Sequence, residues 1–396
     1  MKILLVNDYA APIGGAELAT LGLRDGLRRE GHDARIFSST ACSSSEVSFA
    51  DYECVGTTSR WRTLLQVANP WAFTELRRVL AEFRPDVVHV RMFLTQLSPL
   101  ILPLLRDVPT LYHVVWYRPI CPIGTKTLPD GTACRVSAGI ACYGNHCLPL
   151  RDWFPLMLQM WLWHRWRHVF NLVVANSEAT KRYLIAEGID PVKVVWNGIP
   201  VQAPRSPLSS PPTVVFAGRL VREKGVDVLL HAFVRVVARI PEARLLVIGD
   251  GPEQDMLGHL IGELGLVPNI SMFGHLSRSE TERYCAKAWV QAVPSRWAEP
   301  FGLVAAEAMM RGTAVVASAS GGLTEIIQNG KTGFLVPPND IDALAEIMLR
   351  LLGDRELAEQ MGMAGRTFAR EHLNESIYVD RFVEVYQTLC QRRARF

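Results

Sequence analysis

Short apolar runs, rich in β-branched side chains, alternate with helical patterns along the whole chain. The runs KILLV, ARIFS, DVVHV, TLYHV and NLVVAN lie in the first half, and TVVFAG, ARLLVIG, NISMFG, WVQAVPS, AVVAS and GFLVPP lie in the second. Strands that are apolar along their whole length and separated by helices are typical of parallel sheets covered on both faces. Because the series occurs twice, we predict an α/β protein made of two doubly wound domains.

A stretch rich in Pro and Ser, IPVQAPRSPLSSPP (residues 199–212), separates the two series. Such stretches act as semi-rigid spacers between domains. We therefore predict an N-terminal domain over residues 1–198, a linker over 199–212 and a C-terminal domain over 213–375. Residues 376–396 carry apolar side chains at helical spacing and are predicted to form a helix that packs back on the N-terminal domain. The two domains are expected to face each other across a cleft, with ligands at the carboxyl ends of their strands.

The composition is that of a globular protein, with 49% hydrophobic and 20% charged residues in a chain of 396. This length exceeds one ordinary core, which agrees with two domains. The net charge of +3 is too small to indicate nucleic acid as a partner. Asn7 and Asp8 interrupt the first apolar run, which favours a buried strand over a signal peptide. The apolar runs are also too short to predict a membrane-spanning helix.

The segment FAGRLVREKGVDVLLHAF (residues 216–233) combines a strand end, two cations and a helix start. Arg219 and Lys224 follow the strand, and a helix is predicted to begin near Val226. Cations at the carboxyl end of a parallel strand, beside a helix start, suit a diphosphate. A charged surface turn is the alternative.

Two glycine-containing turns also connect a strand to a helix. In GGAE, Gly14 and Gly15 would let the backbone approach an anion at the helix start, although a tight turn explains the pattern equally well. In VIGDGPE, Asp250 and Gly251 precede Pro252, which is ordinary turn chemistry. This second turn lies at the same predicted sheet edge as the cationic segment.

The segment WAEPFGLVAAEAMMRG (residues 297–312) places two acids on either side of a helix start marked by Pro and Gly. Helical rise separates Glu299 from Glu307 by about 12 Å at most, which is the reach from a sugar across a diphosphate to a ribose. The amides of Phe301, Gly302 and Leu303 would meet the phosphates at the positive end of the helix. Helix capping is an alternative for Glu299, but it does not explain an acid within the apolar helix at Glu307.

The chain contains eight short motifs in this order: GGAE, PDVVH, NSE, WNGI, AGRL…EKG, GDGP, EPFGLVAAEAM and GG…EII…G…G. In this order the chain resembles the retaining GT-B glycosyltransferases of family four, of the glycosyl transferases group 1 type, which use nucleotide sugars. The resemblance spans nearly the whole chain and is most specific in the second domain. It implies two Rossmann-like domains, an acceptor side in the N-terminal domain and a nucleotide-sugar site in the C-terminal domain.

The resemblance implies a role for each residue that matches a family motif. Glu299 would lie at the hydroxyls of the donor sugar, and Glu307 would hold the ribose hydroxyls. His113, in TLYHVVW, matches a histidine near the reacting sugar carbon, although the family pattern His-Asp is His113-Val114 here. The residues implied to be catalytic are Glu299, His113, Arg219 and Lys224, and the last two would hold the diphosphate. Donor contacts are also implied for Gly14, Gly15, Asn197, Gly218, Gly251, Phe301, Gly302 and Leu303.

The resemblance further implies transfer of a hexosyl or N-acetylhexosaminyl unit, with retention of configuration, from a UDP- or GDP-sugar to a sugar, lipid-linked or small-molecule acceptor. The cations and the helix start would stabilise the departing phosphate without a metal ion. No second carboxylate presents itself as a nucleophile, so same-face attack is favoured over a covalent intermediate. No cofactor besides the nucleotide sugar is expected, and the enzyme is expected in the cytoplasm. A sugar-nucleotide epimerase and a non-enzymatic scaffold are the alternatives.

Four of the eight cysteines, Cys121, Cys134, Cys142 and Cys147, lie in one loop over residues 121–147. Because no CxxC pair occurs, structural zinc is one interpretation beside free thiols and disulfides. Some family members carry a similar insertion, which implies that the loop shapes the acceptor site. The remaining cysteines are expected to be ordinary buried thiols: Cys42, Cys54, Cys285 and Cys390.

The segment RDWFPLMLQMWLWHRWRHVF (residues 151–170) mixes four tryptophans, Trp153, Trp161, Trp163 and Trp166, with basic residues. This mixture suits a membrane interface, in which case the enzyme would be membrane-associated and its acceptor lipid-linked. A core helix followed by a basic turn is the alternative, and the favoured, interpretation.

Overall fold

In a computed structural model of the chain, residues 1–11, 14–41, 48–59 and 62–393 are described. The chain divides into two compact units. Unit 1 comprises Met1–Pro129, Cys134–Gly198 and Glu375–Phe396, and unit 2 comprises Asp130–Ala133 and Ile199–Asn374. The Pro- and Ser-rich stretch and four residues of the cysteine loop thus group with unit 2, and the domain limits drawn from the sequence stay predictions.

Unit 1 is built on a sheet of seven strands. They are β1 (Lys2–Val6), β2 (Asp33–Ser39), β3 (Tyr52–Cys54), β4 (Val87–Val90), β5 (Thr110–Val114), β6 (Leu172–Ala175) and β7 (Val192–Val194). The strands are parallel and follow the order β3-β2-β1-β4-β5-β6-β7, so the order reverses between β1 and β4. Strands β4 and β5 are buried at every residue, which explains their continuous apolar sequence.

Helices cover this sheet. They are α1 (Gly15–Arg29), α2 (Arg62–Val67), α3 (Pro70–Phe83), α4 (Ala141–Gly144), α5 (Leu150–Trp166) and α6 (Glu178–Ala186), with 3-10 segments at Pro99–Leu105 and Arg167–Val169. Side-chain caps fix some of the helix starts, because Asn69 accepts from the Ala72 amide and Ser177 accepts from the Thr180 amide.

Unit 2 contains six parallel strands in the order β10-β9-β8-β11-β12-β13. They are β8 (Thr213–Ala217), β9 (Arg244–Ile248), β10 (Ile270–Met272), β11 (Val290–Val293), β12 (Ala314–Ser318) and β13 (Phe334–Val336). Its helices are α7 (Val226–Arg239), α8 (Gln254–Glu263), α9 (Arg278–Cys285), α10 (Leu303–Arg311), α11 (Leu323–Ile326), α12 (Ile341–Gly353) and α13 (Arg355–His372), and a 3-10 turn spans Arg222–Lys224.

The last helix, α14 (Glu375–Arg393), returns to unit 1 and packs on α1. Arg29 Nη2 lies 2.9 Å from Glu375 Oε2. A Cβ atom at Gly26 of α1 would collide with Val379, so the glycine allows the two helices to approach closely. Farther along, the Tyr386 hydroxyl lies 2.6 Å from His89 Nδ1 in β4. Helix α14 therefore contributes to the core of the first unit.

Every apolar run predicted as a strand forms one, and the predicted α/β class with two Rossmann-like parallel sheets is confirmed. The strands β3 and β7 were not predicted. Each has three residues and pairs at an edge of the sheet, where the two-sided apolar pattern of central strands is absent. Asp340 caps the start of α12, where its side chain accepts from the Ala343 amide.

Candidate functional site

The carboxyl ends of β8, β11 and β12 lie side by side in unit 2 and lead into three loops. Gly225, at the end of the loop after β8, has a φ of 67°, and a Cβ atom there would collide with the carbonyl oxygen of Pro294 after β11. Gly321, after β12, has a φ of 57°, and a Cβ atom there would collide with the backbone of Glu299. Two glycines therefore hold the three loops in contact at one edge of the sheet.

Glu299 is buried at this edge and is paired with a cation. Lys224 Nζ donates to Glu299 Oε1 over 2.6 Å, and the Ser295 hydroxyl donates to the same oxygen over 2.6 Å. The ammonium group also lies 5.2 Å from the centroid of the Trp297 ring. Burial opposes ionisation of Glu299, but the charge of Lys224 and hydrogen bonds from Lys224, Ser295 and Trp297 outweigh it and lower its pKa. The acid is therefore held as a carboxylate beside a fixed cation.

The helix α10 begins directly after this acid without a side-chain cap, because its N-cap residue is Gly302. Gly302 has a φ of 99°, and its carbonyl accepts from the Ala306 amide over 3.0 Å. The first amides of a helix have no acceptor within the helix, so the N–H groups from Leu303 onward are donors at its positive end. Since Gly302 is the N-cap residue and Glu299 binds Lys224, the interpretation of Glu299 as the cap of α10 is wrong.

Glu307 lies within α10 and is half-buried. Burial raises the pKa of the Glu307 carboxyl group. The charges of Arg278 and Arg311 lower this pKa in part, and the charge of Glu282 raises it further. Arg311 forms an ion pair with Glu282, and its Nε and Nη2 atoms donate to the two carboxylate oxygens of Glu282 over 2.6 and 3.0 Å. Within the described ranges Glu307 has no hydrogen-bond or ion-pair partner, so its oxygens are available to hydroxyl donors.

The loop between β11 and α10 is braced by contacts that sequence analysis missed. Arg296 donates to both carboxylate oxygens of Asp227, in the first turn of α7, over 2.7 Å each. The Gly322 amide donates to the carbonyl oxygen of Glu299 over 2.7 Å. Charged residues and glycines are frequent in these loops, which is the sequence feature that could have indicated such contacts. Their spacing along the chain does not indicate which residues pair.

Gly218, Arg219 and Gly251 lie in the loops after β8 and β9. Arg219 is exposed, and in the part of the chain that the structure describes its side chain has no partner. A Cβ atom at Gly251 would collide with the Leu220 carbonyl, which explains the glycine by the close approach of the two loops. The donor contacts expected of these three residues stay predictions.

Other residues expected at the donor belong to unit 1. Gly14 is the extended N-cap residue of α1, with a φ of −151°, and the helix begins at Gly15. Residues 12 and 13, just before them, lie outside the described residues. Asn197 is 3% exposed, and its Oδ1 atom lacks a hydrogen-bond partner among the described residues. Their donor contacts also stay predictions.

His113 lies in the interior of unit 1. Its ring is fully buried, with its centroid 5.3 Å from that of His89 and 5.0 Å from that of Phe382. Burial lowers its pKa well below the usual value, with further contributions from Arg91 and His89, so the ring is neutral. Neither ring nitrogen has a partner in the described ranges. A role at the reacting sugar carbon would need a displacement that exposes this ring, and it stays a prediction.

The four cysteines of the loop 121–147 have free thiols. Burial raises the pKa of Cys142 and of Cys147, and neighbouring thiols raise both further. Across the described residues, no group of three or more His, Cys, Asp or Glu side chains is arranged to hold a metal ion. The structural zinc interpretation, with Cys121, Cys134, Cys142 and Cys147 as ligands, is therefore not supported. The thiols of Cys54, Cys285 and Cys390 are also free; the first two are buried as expected, but Cys390 is only half-buried, and Cys42 lies outside the described residues.

None of the helices in the described ranges is both long and apolar enough to cross a bilayer. Two family models match the chain: Glycosyltransferase Family 4 matches residues 13–203, and Glycosyl transferases group 1 matches residues 202–368. The junction of the two matches falls near the predicted boundary between the domains.

An exopolysaccharide phosphotransferase of Streptomyces coelicolor is 35% identical over 228 residues, which are 56% of this chain and 24% of that protein. A GDP-mannose-dependent alpha-(1-6)-phosphatidylinositol monomannoside mannosyltransferase of Mycobacterium tuberculosis is 36% identical over 165 residues, which are 40% of this chain and 43% of that protein. The chain thus spans less than half the length of these two curated relatives.

Among solved structures, sucrose-phosphate synthase from Thermosynechococcus elongatus is similar with a TM-score of 0.75 and 22% identity, covering 98% of this chain and 99% of that one. This likeness shows the fold. Residues 13–203 thus match one glycosyltransferase model and residues 202–368 match another, and together with the Rossmann-like parallel sheets of both units these matches support a GT-B glycosyltransferase.

Proposed function

We propose that the protein transfers a sugar from a nucleoside diphosphate donor, a UDP- or GDP-sugar, to an acceptor hydroxyl with retention of configuration. The observation that carries the proposal is the Lys224–Glu299 pair at the start of α10, with Glu307 farther along the same helix. A cation, a carboxylate and a positive helix end at the carboxyl edge of a parallel sheet suit a sugar diphosphate.

The diphosphate would bind at the positive end of the site. Its negative charge grows as the sugar leaves, and the ammonium of Lys224, the guanidinium of Arg219 and the first amides of α10 would stabilise that charge. Lys224 is already held in place by Glu299, so little reorganisation is needed when the donor binds. These groups supply the charge for a reaction that we propose to be independent of metal ions.

The two acids would bind the two sugars of the donor. Lys224 and Ser295 occupy one oxygen of Glu299, and the carboxylate retains acceptor capacity for hydroxyls of the transferred sugar. Glu307 would accept hydrogen bonds from the ribose hydroxyls. Glu307 is half-buried and unpaired among the described residues, so its carboxylate has lost part of its contact with water. Hydrogen bonds from the ribose hydroxyls would make up for that loss.

In the reaction, the bond between the anomeric carbon and the phosphate oxygen breaks, and its electron pair leaves with the nucleoside diphosphate. The acceptor oxygen forms a bond to the same carbon on the same face and gives its proton to the departing phosphate oxygen. Glu299 is a poor nucleophile because Lys224 and Ser295 engage its charge. This supports same-face attack over a covalent intermediate and accounts for retention.

The acceptor is proposed as a sugar, a lipid-linked glycan or a small molecule. The matched mannosyltransferase acts, by its name, on a phosphatidylinositol monomannoside, which supports the lipid-linked class. A cytoplasmic location, where nucleotide sugars are expected, remains part of the proposal.

Glu299→Gln is the direct test, because the amide keeps the shape of the side chain and an acceptor for Lys224 while it removes the charge. We expect kcat for transfer to fall at least about a hundredfold in a screen of nucleotide sugars and acceptors, the size typical of losing one preorganised electrostatic group. The exposed Glu263→Gln in the same unit is the control and should retain full activity. Normal transfer by Glu299→Gln would overturn the proposal, and conversion of the donor into an isomer without transfer would indicate an epimerase instead.

A further inference from the structure

The helix α5 presents an apolar face to solvent. Leu150, Phe154, Leu158 and Trp161 are 60%, 69%, 42% and 61% exposed. Their spacing of four, four and three residues places them on one side of the helix. The opposite side is anchored in unit 1, where Trp163 is fully buried and donates from Nε1 to the Pro119 carbonyl over 2.9 Å. The orientation of the helix is therefore fixed by its core face, and the exposed face is left without a partner in the described chain.

The cysteine loop extends this apolar face. Trp153 Nε1, on α5, donates to the Gly139 carbonyl over 2.9 Å, which ties the loop to the helix. The neighbouring Ile140 is 78% exposed, and Tyr143, in α4, is 47% exposed. Beneath them, Cys142 packs with Leu148 and Leu156 in a small core cluster. Loop and helix therefore form one surface, here called the α5 surface: Ile140, Tyr143, Leu150, Phe154, Leu158 and Trp161.

Basic residues flank the α5 surface. Arg151 and Arg165 are exposed near the two ends of α5, at positions that share its solvent side. In residues 134–170, four arginines and three histidines accompany a single acid, Asp152, which lies 3.4 Å from Arg151. An apolar strip between cations is the pattern of a helix that lies in the plane of an anionic lipid interface.

We propose that the α5 surface docks on an anionic membrane, with its apolar side chains in the headgroup boundary and its arginines at lipid phosphates. A second copy of the chain is a less suitable occupant, because a two-fold contact through this face would bring like-charged arginines toward one another. The proposal rests on unit 1 alone and does not depend on the donor site of unit 2.

The test is co-sedimentation of the full chain with vesicles of phosphatidylcholine and with vesicles of a two-to-one mixture of phosphatidylcholine and phosphatidylglycerol. We expect preferential binding to the mixed vesicles. The variant Leu150→Gln/Phe154→Gln/Trp161→Gln should lower the partition coefficient at least about tenfold, because three exposed apolar side chains lose their transfer into the interface. Arg151→Gln/Arg165→Gln should remove most of the preference for the anionic vesicles and most of the salt dependence.

The matched control is Met256→Gln/Val267→Gln/Met363→Gln, which changes three exposed apolar side chains of unit 2 and should bind as the unchanged chain does. Thermal unfolding of each variant checks that the fold is intact, as expected for exposed positions. Absence of vesicle binding by the unchanged chain, or equal binding by the α5 variant, would overturn the proposal. A dimer that the α5 variant dissociates, with no vesicle binding, would assign the surface to a second copy.

Discussion

At the carboxyl edge of the unit 2 sheet, Lys224 binds Glu299 over 2.6 Å and lies above the Trp297 ring. The side chain of Glu299 is 8% exposed, so the pair is largely removed from water. Removing only one partner of a buried pair leaves an uncompensated charge and costs about 3–5 kcal/mol in well-buried cases. Loss of activity in a charge-removing variant must therefore be separated from loss of fold, which favours amide replacements and the double variant Lys224→Gln/Glu299→Gln.

Glu307 gives a prediction about pH, because its carboxyl group titrates above the usual range of a glutamate. If Glu307 accepts hydrogen bonds from ribose hydroxyls, nucleoside diphosphate affinity must fall as pH falls through this raised pKa, since the protonated acid is a weaker acceptor. We expect Glu307→Gln to bind about tenfold more weakly than the unchanged chain at pH 8, the size of a lost charged hydrogen bond. The difference should shrink as the pH is lowered from 8 toward this raised pKa.

Calorimetric titration of both proteins over this pH range measures the effect. The diphosphate itself titrates near pH 6, but it does so identically for both proteins, so the ratio of their affinities isolates Glu307. A ratio that does not change with pH would contradict a ribose-binding carboxylate at this position.

At the scale of elements, α10 is a helix of nine residues with a left-handed glycine at each end. Gly302 opens it with a φ of 99°, and Gly312 closes it with a φ of 88°. Both ends were predictable, because Pro-Phe-Gly and Arg-Gly are ordinary start and stop signals. The packing of the start of α10 against α11 was not predictable, since it depends on contacts between segments that are separate in the chain.

The substitution Gly302→Ala tests this packing. A Cβ atom at this residue would lie 2.5 Å from Leu323 Cδ2, and the positive φ is unfavourable for alanine. We expect a loss of about 2 kcal/mol in the free energy of unfolding, from backbone strain and the steric conflict together. Urea denaturation measures it, and Gly258→Ala in α8, where a Cβ atom meets open space, should instead stabilise by about 0.5–1 kcal/mol. Equal stability of the two variants would contradict the packing described at Gly302.

For the whole molecule, the fold could be predicted from the pattern of hydrophobic residues, because buried parallel strands are apolar along their whole length. The edge strands β3 and β7 escaped prediction since their short sequences lack that pattern. At the site, Lys224 and Glu299 were predicted separately, yet their pairing depends on β8 and β11 being neighbours in the sheet. A sequence motif predicted His113 as a site residue. Its burial against Phe382 could not be predicted, because Phe382 lies in α14, far from His113 in the sequence.

The proposed contact between Lys224 and the donor diphosphate is tested by calorimetric titration of UDP and GDP into the unchanged chain, Lys224→Gln and the double variant Lys224→Gln/Glu299→Gln. We expect one of the two nucleotides to bind the unchanged chain and both variants to bind it at least about tenfold more weakly, because a charged contact to the diphosphate is lost. The exposed Lys287→Gln should bind normally. Equal affinity of a folded Lys224→Gln variant, or failure of the unchanged chain to bind either nucleotide, would contradict a nucleoside diphosphate site at this edge of the sheet.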